Sequence, residues 1–185
     1  MKTSKIILIS PLFLVASLLL WGVGAFAQQP TVEQPADRHQ LSASDEAAIR
    51  DIIKDLETAW NRHDMRAFTK SFRNDAEGIN VVGTYWRGKA AILKHLTDYH
   101  SGIFKNLQET LDEVTLHSIG DGYAIAVSTW KVGSFKAPNG VDVPPSRHRS
   151  TLALAKGTDG WKVVHFHNTI IDEAVAKGVT TPPKK

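Results

Sequence analysis

The segment Trp161–Ile171 near the C-terminus constrains the fold of this chain more than any other feature. Its mainly apolar, β-branched composition predicts a β-strand, in which residues two apart point to the same face. Strict alternation then places His165 and His167 on one face with Trp161 and Val163, unless a β-bulge intervenes. Two imidazoles in an otherwise apolar strand favour a sheet that lines a pocket.

The rest of the hydrophobic pattern predicts helices in the first half of the chain and strands in the second. Apolar residues between Ile49 and Trp60 recur with the period of an amphipathic helix. Later segments alternate and are separated by glycine-containing turns. The expected elements are helices over 45–62, from Asp64 to Phe72 and over 89–99, a hairpin over 76–87, and strands over 107–119, 123–132, 147–156 and 161–171. Helices set on one side of an antiparallel sheet make an α+β fold.

The N-terminus has the composition of a secretory signal peptide. Two lysines precede the apolar run Ile6–Trp21, and Ala25, Phe26 and Ala27 fit the small-x-small cleavage pattern. We therefore expect residues 1–27 to be cleaved, leaving no stable membrane anchor and a periplasmic or secreted protein. The alternative is an uncleaved anchor, for which the apolar run is short.

The mature chain has the length of a single domain. Residues 28–43 are polar and proline-bearing and predict a disordered linker, residues 44–175 the domain, and residues 176–185 a flexible tail. The precursor has 22 basic and 19 acidic residues, and the leader removes two lysines, so the mature net charge is about +1. This balance gives no indication of nucleic-acid binding. The absence of cysteine excludes disulfides and thiol chemistry.

Three segments resemble a known superfamily. They are Ala59–Phe68, Ile79–Ile92 and Gly160–Thr169, which read AWNRHDMRAF, INVVGTYWRGKAAI and GWKVVHFHNT. With the order of elements, they are similar to the nuclear transport factor 2-like, or SnoaL-like, superfamily, and most closely to its SgcJ/EcaC family. The resemblance covers roughly residues 44–173. It implies a cone-shaped, curved antiparallel sheet wrapped around a long N-terminal helix, with a pocket inside the cone.

The resemblance and the residue types together suggest a candidate site. We expect His167 to act as a general base or hydrogen-bond donor, helped by Tyr85 or Asp64. Asp64 is alternatively a helix N-cap, the role that its residue type favours. The other residues expected to line the pocket are Trp60, Trp86, Tyr99, His100, Arg149 and His165. Arg149 would bind a carboxylate there, or would simply lie at a solvated strand entrance.

Two functions remain open from the sequence. The first is cofactor-free acid/base catalysis of the isomerase, hydratase or hydrolase type on a small, largely apolar molecule. The second is a non-catalytic ligand-binding or dimerisation domain, with a homodimer formed through the outer face of the sheet. The acids Glu109, Asp112 and Glu113 are expected on the surface, so no strand is predicted to place a carboxylate inside the cone. No nucleotide fingerprint or metal-binding motif accompanies the two histidines, and we expect neither a cofactor nor a metal.

Overall fold

The computed structural model describes residues 40–180. The predicted signal peptide, most of the predicted linker and the last five residues lie outside the described residues. No helix within residues 40–180 is long and apolar enough to cross a membrane. The helices are α1 (Ala43–Asn61), α2 (Met65–Phe68), α3 (Lys89–Ser101) and α4 (Glu173–Thr180). The strands are β1 (Phe72–Ile79), β2 (Tyr85–Arg87), β3 (Glu109–Gly120), β4 (Tyr123–Val132), β5 (Phe135–Lys136), β6 (Asp142–Val143), β7 (Ser146–Gly157) and β8 (Gly160–Ile170).

Six strands form one curved sheet in the order β2-β1-β8-β7-β4-β3, and β5 pairs with β6 as a separate hairpin. The predicted α+β class is confirmed. The sheet is mixed rather than wholly antiparallel, because β1 runs parallel to its neighbour β8 while all other neighbours are antiparallel. Strand β1 follows α2, and the strand that pairs with it in parallel, β8, comes last in the chain. The pairing joins segments far apart in the sequence, so the local sequence pattern could not predict it.

The long helix α1 packs on the concave face of the sheet. Ile49, Ile53 and Leu56 recur on one side of the helix and are buried in the core. Its first turn is fixed by Asp45, which accepts hydrogen bonds from Trp161 Nε1 at 2.8 Å and from Lys156 Nζ at 2.7 Å. These donors, the lysine first, lower the pKa of Asp45 to about 2. The helix is thereby tied to the last two strands.

The end of α1 covers the free edge of β3. Asn61 donates from Nδ2 to the carbonyl of Glu109 at 2.8 Å, and its Oδ1 accepts from the Glu109 N–H at 2.9 Å. Glu57 Oε1 accepts from the N–H of Leu111 at 2.8 Å. Unpaired backbone groups at a sheet edge invite association with other strands. Here helix side chains satisfy them and hold the start of β3 in place.

A β-bulge in β8 overturns the predicted face of its histidines. Leu154 pairs with Val163 and the adjacent Ala153 pairs with His165, so Val164 is an extra residue without a partner. A bulge of this kind reverses the alternation of faces. The prediction that His165 and His167 share the pocket face with Trp161 and Val163 is therefore wrong: both histidines lie on the outer face.

The residue that replaces the histidines inside is Phe166. It is buried and lies opposite Gly78 of β1, where an added Cβ would come within 2.0 Å of Cε1 of its ring. Asn168 also lies on the concave side, two residues further along.

Two predicted boundaries also shift. Ser42 caps α1, accepting from the N–H of Asp45, so the domain begins two residues before the predicted boundary at 44. Residues 176–180, predicted as part of a flexible tail, belong to α4, whose start is capped by Asp172. A helix of eight residues gives only a weak periodic signal, which is why α4 was not predicted.

Candidate functional site

The concave face of the sheet divides into an apolar and a polar half. The apolar half consists of buried side chains that belong to the same hydrophobic core as the apolar face of α1; they are Ala124, Ala126, Leu152, Leu154, Trp161, Val163 and Phe166. The next two rows across β4, β7 and β8 are different: Ser128, Ser150 and Asn168 lie directly opposite one another, followed by Trp130 and His148. We call these five residues, with Glu109, the polar half. An apolar floor that ends in convergent polar groups is typical of a small-molecule site.

Hydrogen bonds organise the polar half. Ser150 Oγ donates to Asn168 Oδ1 at 2.7 Å, and Trp130 Nε1 donates to the buried hydroxyl of Ser128 at 2.8 Å. These bonds fix the orientation of the Asn168 amide, whose Nδ2 makes no hydrogen bond within the described part of the chain. His148 shares a 3.0 Å hydrogen bond through Nε2 with Ser146 Oγ. Burial lowers the pKa of His148, so its imidazole is neutral at neutral pH.

Glu109 supplies a carboxyl group on the concave side of the sheet, where no strand was predicted to carry one. It lies directly opposite the buried Val132 and shares a face with Leu111, so its side chain is on the concave side. Burial raises the pKa of Glu109 to about 8, which keeps the carboxyl protonated at neutral pH. The expectation that Glu109 lies on the surface is therefore wrong. The alternation of Leu107, Glu109 and Leu111 was the sequence signal for it.

The other two acids of β3 lie where they were expected. Glu113 is exposed, and Asp112 forms ion pairs on the outer side with Lys131 and Arg147, at 2.6 and 2.9 Å. The register shift between Leu111 and Glu113 leaves Asp112 without a partner in the ladder. This second bulge keeps the apolar residues of β3 facing inward on both sides of it.

An aromatic cluster lies between α1, α3 and the sheet, and it contains four residues predicted to line the pocket. The Trp60 ring lies 4.3 Å from His100 and 6.0 Å from Phe104, and Tyr99 lies 5.7 Å from Phe104 and 5.9 Å from Trp86. Three polar atoms in this cluster are buried without a hydrogen-bond partner: Trp60 Nε1, Trp86 Nε1 and His100 Nε2. Buried polar atoms without a hydrogen-bond partner are rare in folded proteins.

His100 also borders a surface cleft of about 440 Å³, which we call the histidine cleft; it is lined by His63, Asp64, Met65, Arg66, Thr97, His100 and Ser101. The Nδ1 atoms of His63 and His100 are 2.8 Å apart, so one ring donates to the other. Burial, and to a lesser extent His63, lowers the pKa of His100 to about 4. Asp64 borders the cleft, but its Oδ1 accepts from the N–H of Ala67, which confirms the N-cap alternative.

The remaining predicted site residues lie outside the cone. Tyr85 is exposed, on the opposite face of β2 from the buried Trp86, with the Arg87 guanidinium 4.9 Å from its ring centre. A three-residue strand allows only one of the two rings inside, and the larger indole occupies the core. Arg149 and His167 line a different cleft, on the outer face of β7 and β8. Within residues 40–180, no three metal-ligating side chains are grouped closely enough to hold an ion.

Comparisons with known proteins agree with this fold. A family model described as a SnoaL-like domain matches residues 49–173, more than half of the chain. An uncharacterised protein with a cystatin-like fold from Caulobacter vibrioides is 31% identical, with a TM-score of 0.70, over 73% of this chain and 95% of that protein. A comparison with curated proteins finds no match.

Two more distant structures share the fold. An NTF2-like protein of unknown function from Pseudomonas putida is 20% identical over 70% of this chain and 89% of that protein, with a TM-score of 0.60. A ketosteroid isomerase-like protein from Erwinia carotovora atroseptica is 18% identical over 71% of this chain and 99% of that protein, with a TM-score of 0.59. The curved sheet, the helix packed on its concave face and the matched family model lead to one conclusion: the chain belongs to the SnoaL-like domain family.

Proposed function

We propose that this protein binds a small, largely apolar molecule carrying a carbonyl or hydroxyl group on the polar half of its concave face. The observation that carries the proposal is the row Ser128, Ser150 and Asn168, set beside apolar and aromatic side chains. A purely structural core would gain stability from apolar residues at these positions, since buried polar groups contribute little net free energy. Polar groups held in fixed orientations serve ligand recognition better than packing.

The charges of the polar half favour an uncharged ligand. Its described residues include no lysine or arginine, because Arg149 lies on the outer face. A protonated Glu109 and the Asn168 amide offer hydrogen-bond donors, and the neutral His148 offers a donor or an acceptor. Such a set suits a ketone, an aldehyde or an alcohol on an apolar or aromatic frame. A free carboxylate would find no cationic partner there.

The proposed chemistry is proton transfer without a cofactor. Glu109 and His148 lie on strands two positions apart, with Trp130 of β4 between them, so their backbones are separated by about 10 Å. A small ring lying over the Trp130 indole would contact both groups. The neutral His148 would remove a proton from the carbon next to a carbonyl. The Glu109 carboxyl would donate a hydrogen bond to the developing enolate oxygen. Return of the proton to another carbon completes an isomerisation with no net proton change. The name of the ketosteroid isomerase-like structure supports this class of reaction for the fold.

Three finer features belong to the same proposal. Within the family, the three matching segments favour a place near the SgcJ/EcaC proteins. The N-terminal composition favours export, with cleavage before Gln28 and a periplasmic or secreted mature form. The exposed side chains of Ile119 and Tyr123, at the turn between β3 and β4, favour a homodimer that covers this end of the sheet.

A thermal-shift screen of the mature protein against a library of metabolites tests the binding proposal. Compounds that raise the melting temperature are then tested on Asn168→Ala and on Thr115→Ala, an exposed residue of β3 on the outer face. We expect the shift to disappear in Asn168→Ala and to persist in Thr115→Ala. Equal shifts in both variants would place the ligand elsewhere. Loss of substrate turnover in Glu109→Gln with binding retained would support catalysis, and binding without any turnover would leave a ligand-binding domain.

A further inference from the structure

A second cleft, of about 360 Å³, lies on the outer face of the sheet where β7 and β8 approach the start of α4. We call it the outer cleft. Arg149 and Thr151 of β7 line it together with Thr169 and His167 of β8. In the register, Arg149 lies opposite Thr169, and Thr151 lies opposite His167. Directly opposed side chains have Cβ atoms about 5 Å apart, so the four groups converge on one small area.

These four side chains are rich in free hydrogen-bond donors. Within the described residues, the Arg149 guanidinium, the His167 imidazole and both threonine hydroxyls make no hydrogen bond or ion pair with protein groups. The neighbouring cations are neutralised: Arg147 binds Asp112 at 2.9 Å and Glu173 at 3.1 Å, and Lys131 binds Asp112 at 2.6 Å. Arg149 is thus the cation that this part of the outer face leaves without an acidic partner.

One acid also lines the outer cleft. Asp172 follows β8, and its Oδ1 accepts from the N–H groups of Ala174 and Val175, at 3.1 and 2.9 Å. The carboxylate is therefore committed to the first turn of α4 and does not pair with Arg149. The apolar side chains of Ile170, Ile171 and Ala176 complete the lining. Donors beside an apolar wall fit an anionic group attached to a small carbon frame.

We propose that the outer cleft is an anion-binding site for the carboxylate or phosphate of a small molecule. The planar guanidinium of Arg149 binds two oxygens of the anion, and Thr151, Thr169 and His167 donate to the others. The site lies on the opposite side of the sheet from the polar half, and it does not depend on the function proposed above. The bulge at Val164 creates it, because strict alternation would have turned His167 into the cone.

A second copy of the chain is the competing occupant. A two-fold axis through the outer cleft would bring the two Arg149 side chains together, and the acid that each copy would offer there, Asp172, already accepts hydrogen bonds from the N–H groups of Ala174 and Val175. The donor set is satisfied by an anion and not by a copy of itself. A small anion therefore suits the outer cleft better than a second copy, and a measurement of the oligomeric mass distinguishes the two occupants.

The test titrates inorganic phosphate and, separately, acetate into the protein and follows backbone amide shifts by NMR at constant ionic strength, with chloride as the reference anion. We expect saturable shifts at Arg149, Thr151 and His167. Arg149→Gln should weaken binding at least tenfold and His167→Gln a few-fold. Arg87→Gln, an exposed arginine on β2, should leave binding unchanged. The anion that binds more tightly, phosphate or acetate, shows whether the site prefers a phosphate or a carboxylate group.

Three results would overturn the proposal. Chloride shifts equal to those of phosphate and acetate would show ionic-strength effects only. Equal weakening by Arg87→Gln and Arg149→Gln would show non-specific attraction to positive charge. A change from dimer to monomer in Arg149→Gln, measured by light scattering without any saturable anion binding, would make the outer cleft an interface between copies.

Discussion

Replacement of Glu109 by glutamine should make the protein more stable, and increasingly so as the pH rises. Burial raises the pKa of this carboxyl from 4.5 to about 8. The unfolded chain ionises Glu109 from about pH 4.5 upward, whereas the folded protein holds the proton until about pH 8. The stability that this proton contributes is complete below the unfolded pKa and is lost as the pH rises towards the folded one. Glutamine has nearly the same shape and does not titrate.

The magnitude follows from the two pKa values. Each unit of difference corresponds to about 1.4 kcal/mol. Compared with a protein that has a non-titrating residue at position 109, the wild type has a lower free energy of unfolding. The difference is at most about 3 kcal/mol at about pH 7 and less than about 1 kcal/mol at about pH 5. Solvent reaches part of this residue and reduces both values. The stability difference between Glu109→Gln and wild type should therefore grow by about 1–3 kcal/mol from about pH 5 to about pH 8.

The assay is urea unfolding at a series of pH values, with each variant compared at the same pH. Glu113→Gln is the matched control, because Glu113 is an exposed acid of the same strand. Its stability should follow that of the wild type across the range. Parallel pH profiles for Glu109→Gln and wild type would contradict the effect of burial on Glu109, since they would mean that its carboxyl ionises as freely in the folded state as in the unfolded one.

Four further outcomes are expected. Gly78→Ala should destabilise the fold by about 1–3 kcal/mol, because the Cβ of the new alanine would collide with the Phe166 ring. In urea unfolding, the double variant with Phe166→Leu should recover part of the lost free energy of unfolding. Additive losses in the double variant would contradict the contact. As pH falls from about 6.5 to about 4, the buried His100 resists protonation while the unfolded chain accepts it. Wild type should therefore lose up to about 3 kcal/mol relative to His100→Gln, and parallel pH profiles would argue against its burial. Mass spectrometry of the exported protein should find Gln28 at the N-terminus, and an intact leader would argue for a membrane anchor. Light scattering at micromolar concentration should give the mass of a dimer, whereas a monomer would contradict the proposed assembly.

Hydrophobic periodicity was sufficient for most of the fold. The helical repeat from Ile49 to Trp60 predicted α1, and alternation predicted the long strands within a few residues of their bounds. These elements are predictable because each one buries a regular stripe or face. The parallel pairing of β1 with β8 was not predictable in this way, because it joins segments far apart in the chain.

The candidate site was harder to predict, because the faces of β8 depend on one extra residue. The apolar positions Trp161, Val163 and Phe166 are spaced by two and then by three, and the paired valines at 163 and 164 mark the change of phase. Because of the bulge, Phe166 lies inside the cone and His167 lies on the outer face, the reverse of what strict alternation predicts. Trp60, Trp86 and Tyr99, which were expected to line the pocket, lie in one aromatic cluster, because buried aromatic side chains on neighbouring helices and strands meet in one core.

Binding on the polar half of the concave face is tested most directly by mapping a bound ligand. The compound with the largest thermal shift is titrated into isotope-labelled protein, and chemical-shift changes are assigned along β4, β7 and β8. We predict that the largest changes occur at Ser128, Ser150 and Asn168 and extend to Glu109. Changes confined to the outer face of the sheet or to the histidine cleft, with these four resonances unmoved, would contradict the proposed site.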